Sequence, residues 1–311
     1  MKLGLRASLV ALAVSLGCRT EPPSPAATAS SSAPTPPHAP ARAVASGPAP
    51  SPTASRSDVR ATSASAAANA HHVMLVSVAG MKPAAPSTLP LVTLSPTELL
   101  VGDEHIADLS PGPLGFDASI KRAGQRSALQ LLPLDDVLKR LHAREPSGTE
   151  IRFLFDRRVA YRAALEVIFT ASHEGFTSFD FVVESAASEG VAERSLPAST
   201  PDKAEWEASH TPGAAQPASF VLTTAGAMIS VGTVTIGAGC TKGGAGAAVA
   251  TLDPSAVGAC TARIKGMDPA WSSTHVANVS AANGLDLQSV LAVVGAILPS
   301  FPTVHFGMIQ G

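Results

Sequence analysis

Bulky rings are scarce in this chain: aromatics make up 4% of 311 residues, with one tyrosine and two tryptophans. Ala, Pro, Ser and Gly are abundant instead, so part of the chain lacks the large apolar groups whose burial offsets the entropy of ordering. Strong charge of either sign is also missing. A net charge of −2 excludes electrostatically driven nucleic-acid binding and singles out no partner. Cysteine is limited to three residues. The N-terminal apolar run, Ala7 to Val14, falls well short of the roughly 20 residues needed to cross a bilayer.

What is present begins with a signal-like start. Lys2 and Arg6 precede that run, and Ser15-Leu16-Gly17-Cys18 follows it. Residues 1–18 are therefore read as a signal peptide with a lipobox in which Cys18 is lipidated; a plainly cleaved secretory signal is the alternative. Residues 19–70 are Ala/Pro/Ser-rich and are expected to form a disordered tether reaching about 40 Å. Export to an oxidising compartment makes a Cys240–Cys260 disulfide the natural expectation, against two buried thiols. Such a bond would stabilise a glycine-rich segment by roughly 3 kcal/mol.

One pattern occurs twice. In the first copy, Leu91–Leu94 and Glu98–Val101 read as a hairpin. A helix follows with Leu134, Val137, Leu138 and Leu141 on one stripe, then strand Ile151–Phe155, a helix closed by Gly175, and strand Phe179–Val183. The second copy runs from Phe220 and Met228 hairpin strands, through a helix opened by Asp253-Pro254, a strand at His275–Val279 and a helix at Leu285–Leu298, to a strand at Val304–Ile309. His72–Val78 reads as an extra edge strand. The expected architecture is α+β, with two tandem small domains, 71–185 and 219–311, each a short sheet with two helices on one face. A polar linker, 186–218, separates them.

Chemistry finds little foothold. His71-His72 would face opposite sides of a strand, with no further ligand at metal spacing. Cys240 or Cys260 with His275 carries no nucleophile signature. Gly239–Gly246 lacks phosphate-loop spacing. Asp135 and Asp136 are explained by the dipole of the helix they open. Asp156, Arg157 and Arg158, with Tyr161 beyond, form either a partner-contact turn or a solvated turn with a capping Asp. No catalytic residue, metal or cofactor is expected.

The run Glu150-Ile151-Arg152-Phe153-Leu154-Phe155-Asp156-Arg157-Arg158-Val159-Ala160-Tyr161, followed by a helix, a glycine and a strand, resembles the periplasmic domain of the ExbD/TolR biopolymer-transport family. The resemblance covers about Leu91 to Glu184 and is weaker in the second copy. It implies a binding fold facing the periplasm, on either the inner or the outer membrane. The proton-coupling role does not carry over, because the family's N-terminal transmembrane helix with its Asp has no counterpart here. The expectation is a non-catalytic binding or scaffolding protein of the envelope. Its partners would be envelope proteins, among them ExbB/MotA-like channel subunits, or a second copy of itself through sheet edges. The rival is a ligand-binding or enzymatic protein using a cleft between the two domains.

Overall fold

The computed structural model describes residues 63–81, 87–109, 114–125, 128–185, 194–200 and 216–307. The signal segment, Cys18 and the tether up to residue 62 lie outside them. The tether's last residues do not remain extended: Ala64–Ala70 forms α1, opened by the Ser63 side chain, with Ala64, Ala67 and Ala68 buried. Small alanines let this helix lie close against a sheet.

The first half contains β2 (Leu91–Leu94), β3 (Glu98–Val101), β4 (Glu104–Asp108), α2 (Leu132–Arg144), β5 (Glu150–Phe155), α3 (Tyr161–His173) and β6 (Ser178–Ser185). The second half repeats this order. It has β8 (Ala218–Thr223), β9 (Gly226–Val231), β10 (Val234–Gly237), the short β11 (Thr241–Lys242), α4 (Pro254–Met267) and α5 (Pro269–Ser272). It closes with β12 (Val276–Ala281), α6 (Leu287–Ile297) and β13 (Thr303–Gly307). The same displacement along the chain carries Glu150–Phe155 onto Val276–Ala281, and Tyr161 onto Leu287.

The two halves are not separate domains. Among the described residues they share one mixed sheet of thirteen strands: twelve follow the order β11-β10-β9-β8-β12-β13-β7-β6-β5-β2-β3-β4, and the thirteenth, β1 (Ser77–Val78), pairs with β6 off this path. The joining strand, β7 (Arg194–Ser199), comes from the stretch expected to be a linker. It runs antiparallel to β6 from Ser178↔Ser199 to Val183↔Arg194, and parallel to β13 at His305↔Ser199. Leu196 and Ala198 are buried, so short alternation inside a polar stretch was enough to draw it into the sheet. A single hydrophobic core runs beneath α2, α3, α4 and α6 across both halves.

The expected edge strand at 72–78 is also different. Only Ser77–Val78 is a strand, β1, paired parallel with the end of β6. Residues 73–78 form a strap from one face of the sheet to the other. Val73 and Leu75 join α1, Leu91, Leu154 and Val182 on the outer face, while Val76 and Val78 enter the main core on the helix face.

The strap ends against α6. Gln288 binds the Ser77 backbone both ways, accepting from Ser77 N (2.9 Å) and donating to Ser77 O (2.8 Å). Gly295 makes room for Val78, since a Cβ there would lie 2.2 Å from Val78 Cγ1.

Candidate functional site

The turn after β5 is built around Asp156, which is fully buried. Its Oδ1 accepts from Arg158 N (2.8 Å) and Nε (2.9 Å), and its Oδ2 from Arg158 Nη2 (2.8 Å) and the strap amide of Met74 (2.8 Å). Burial works to raise this carboxyl, but these hydrogen bonds and the Arg158 charge outweigh it and hold it below the usual carboxylate range. Asp156 therefore anchors the strap, and Arg158 neutralises it from the surface. Arg157 N completes the clasp by donating to Met74 O (2.8 Å).

Tyr161 points elsewhere. Its ring is buried, and its hydroxyl donates to Gly307 O (2.8 Å) at the end of β13, with Val279 O 3.5 Å away. Burial pushes the phenol up, so it remains protonated and donates.

Tyr161 opens α3, whose N-cap residue, Ala160, offers no side-chain acceptor. The first amides of α3 bond instead to the other half, Tyr161 N to Leu285 O (2.7 Å) and Arg162 N to Asn283 O (3.2 Å). The start of α6 reciprocates through Leu287 N to Val159 O and Gln288 N to Arg157 O. Each helix start thus satisfies amides that the other helix cannot. The four residues expected at a partner-contact turn separate into three roles: a clasp (Asp156 and Arg158), an inter-half bond (Tyr161), and Arg157.

The Arg157 side chain lines a half-open cavity of about 230 Å³ between the strap and the sheet. Ala68, Val73, Met74 and Leu75 supply its apolar wall, and Asn69, Arg157 and Glu184 its polar groups. Arg157 lies just past β5 and Glu184 is the penultimate residue of β6, neighbouring parallel strands, so both stand at carboxyl ends, where open sheets with parallel strands commonly place binding groups. Among the described residues, neither side chain makes a hydrogen bond or ion pair.

The buried ionisable groups nearby are engaged in internal contacts. The stretch that leads into α2 is pinned onto α3 by buried charge. Glu166 Oε1 accepts from Lys121 Nζ and Arg162 Nε, both at 2.6 Å, and its Oε2 accepts from Phe116 N (3.0 Å). Lys121 and Glu166 are wholly buried, and a Cβ on Gly115, at φ +73, would meet Glu166 Oε2 at 2.7 Å. Sequence reasoning missed this lock, although Arg162 and Glu166 at i,i+4 on an otherwise apolar helix face were a visible signal.

A second network joins α2 and α3. Asp135, His173 and Glu174 bring ligand atoms within 4.8 Å of one another. The Lys139 ammonium hydrogen-bonds Asp135 and lies 3.7 Å from Glu174 Oε1, in the place where a cation would neutralise both carboxylates. Burial would raise Asp135, but its bonds to Glu174, Lys139 and Gln130 outweigh burial and lower it to about 2.

His71 Nδ1 lies 3.2 Å from Glu98 Oε1, and His72 is in a turn at φ 52. Cys240 and Cys260 are joined at 2.03 Å, tying the β10–β11 turn to α4. No helix among the described residues is long and apolar enough to cross a membrane.

No family profile, curated protein or solved structure matches this chain.

Proposed function

We propose that this chain is a non-catalytic binding protein of the cell envelope, with its binding face at the turn after β5. The cavity beside Met74 carries this reading, because among the described residues its half-buried Arg157 and Glu184 have no partner, while buried charges such as Glu166 and Asp156 serve as internal ties. Unneutralised ions facing a partly apolar hollow are what a ligand or a partner side chain completes.

The sheet edges are less suited to a partner strand. Edge strand β4 exposes Glu104, His105 and Asp108 and carries a bulge opposite Leu99 and Leu100, while β11 at the other edge has two residues. The rival reading, a ligand-binding or enzymatic protein, would use a cleft between two domains, and β7 with the reciprocal helix starts fills the place of such a cleft.

The ExbD/TolR-like run makes channel-type envelope subunits the first partners to test. The experiment is in-cell crosslinking and affinity purification of the chain tagged at Gly311, beside a Cys18→Ser control. Recovery of such subunits, lost with Cys18→Ser, supports an anchored accessory of a transport complex. Recovery of the bait alone overturns the partner reading.

A further inference from the structure

The cavity between the strap and the carboxyl ends of β5 and β6 offers one cation, one anion and an apolar wall. We propose that it binds a free α-amino acid with an apolar side chain; this rests on the reading of the chain as a binding protein and names the ligand of that same site.

The volume, about 230 Å³, lies below the roughly 300–1,000 Å³ typical of drug-sized sites, and suits a molecule of amino-acid size. The Arg157 guanidinium supplies a planar donor fork for an α-carboxylate, the geometry in which arginine binds carboxylates best. Glu184 supplies the acceptor for an α-ammonium. The ligand's side chain then lies against Val73, Met74 and Leu75. Met74, 38% exposed, is unbranched and adapts to apolar groups of differing shape.

The charge balance favours a zwitterion. A carboxylate-only ligand would leave Glu184 facing the cavity unmatched, and an amine-only ligand would leave Arg157 so. The Met74 backbone is clasped by Asp156 and Arg157 on both its N–H and its C=O, so the wall of the cavity is set before a ligand arrives.

The test is titration calorimetry on the full chain with L-leucine and L-methionine, beside N-acetyl-leucine and leucinamide, each of which removes one of the two charges. N-acetyl-leucine also stands in for a peptide chain end. The zwitterions are expected to bind, and each derivative to bind about tenfold or more weakly, the loss of one charge-assisted bond. Arg157→Gln should abolish the preference for leucine over leucinamide, and Glu184→Gln the preference for leucine over N-acetyl-leucine. Among the described residues neither side chain makes an internal bond, so unchanged circular dichroism and melting are expected for both variants.

Absence of heat with apolar amino acids at millimolar concentration would overturn the proposal. So would N-acetyl-leucine binding as tightly as leucine, which assigns the cavity to chain ends, or variants that bind like the parent. Failed amino-acid binding with partners still recovered by crosslinking overturns the cavity's ligand alone. Binding retained with no partner recovered overturns the partner reading alone.

Discussion

Where α3 has Glu166, α6 has Ala292 at the matching position; where α3 has Phe169, exposed to 42%, α6 has Gly295 with Val78 laid against it. The connections leading to α2 and α4 differ in the same way. In the first half that loop is held by a buried trio of charges, and in the second the corresponding turn is held by a disulfide. The outer faces differ too. β2 is buried throughout and β5 nearly so, whereas β8 and β12 alternate buried with half-buried residues. The extra apolar positions of the first half, Leu91, Leu154 and Val182, are those that α1 covers. One arrangement of elements is therefore stabilised by two chemistries, and the strap belongs to both: it lies on the first half's outer face and ends against the second half's helix.

The contrast is testable by perturbing one chemistry at a time. Glu166→Gln leaves Lys121 and Arg162 buried around a neutral group and should cost about 3–5 kcal/mol in denaturant unfolding. Replacing all three with apolar residues, Lys121→Met, Arg162→Met and Glu166→Leu, should recover most of that loss. If the triple variant is as unstable as the single, the trio does more than neutralise itself.

Reduction of Cys240–Cys260 should cost about 3 kcal/mol. The loss should show in hydrogen exchange as faster opening of β9 to α4, with α3 and β5 little changed relative to global stability. Equal loosening of both halves would mean that the shared sheet transmits the perturbation completely.

Gly295→Ala should cost about 1–3 kcal/mol by overpacking against Val78. Faster exchange of the Ser77 and Val78 amides would show the strap lifting, and unchanged exchange there would place the strain within α6.

The smallest effect is expected in acid. Asp135 and Asp156 titrate below their unfolded values, so their stabilisation is full above about pH 4 and is lost as pH falls, for Asp135 through about 2. Pepsin in that window should cut the first half before the second. Preferential cutting of the disulfide-tied half would reverse the comparison.

Much of the helix layer was legible. Leu134, Val137 and Leu138 are buried as their stripe predicts, Gly175 closes α3 at φ +95, and Asp253-Pro254 opens α4. The order of elements in the two copies was legible as well. The joining of the sheets was not, because β7 is Arg-Ser-Leu-Pro-Ala-Ser, and proline within a strand ordinarily argues against a central position. β7 meets β13 at one register position only, which eases the demand on its donors.

The site was half legible. The turn at Asp156 to Arg158 drew notice as a charged turn, but which of its charges faces inward depends on the strap, whose Met74 lies 82 residues earlier in the chain. Lys121 was hidden because an isolated lysine in a polar stretch reads as solvated, and only a carboxylate from a later helix makes its burial tolerable.

The reciprocal helix starts also set an order in time. Ser77 waits for Gln288, 211 residues downstream, and the Tyr161 hydroxyl waits for the Gly307 carbonyl, 146 residues downstream. Until then the first turn of α3 lacks the acceptors at Asn283 and Leu285, and its strap has nothing to close on. A chain emerging from the N-terminus onward thus completes its earliest-made elements last. Pairings of such long range make for slow folding, with the closing step held back until the segment from Asn283 to Gly307 has been made.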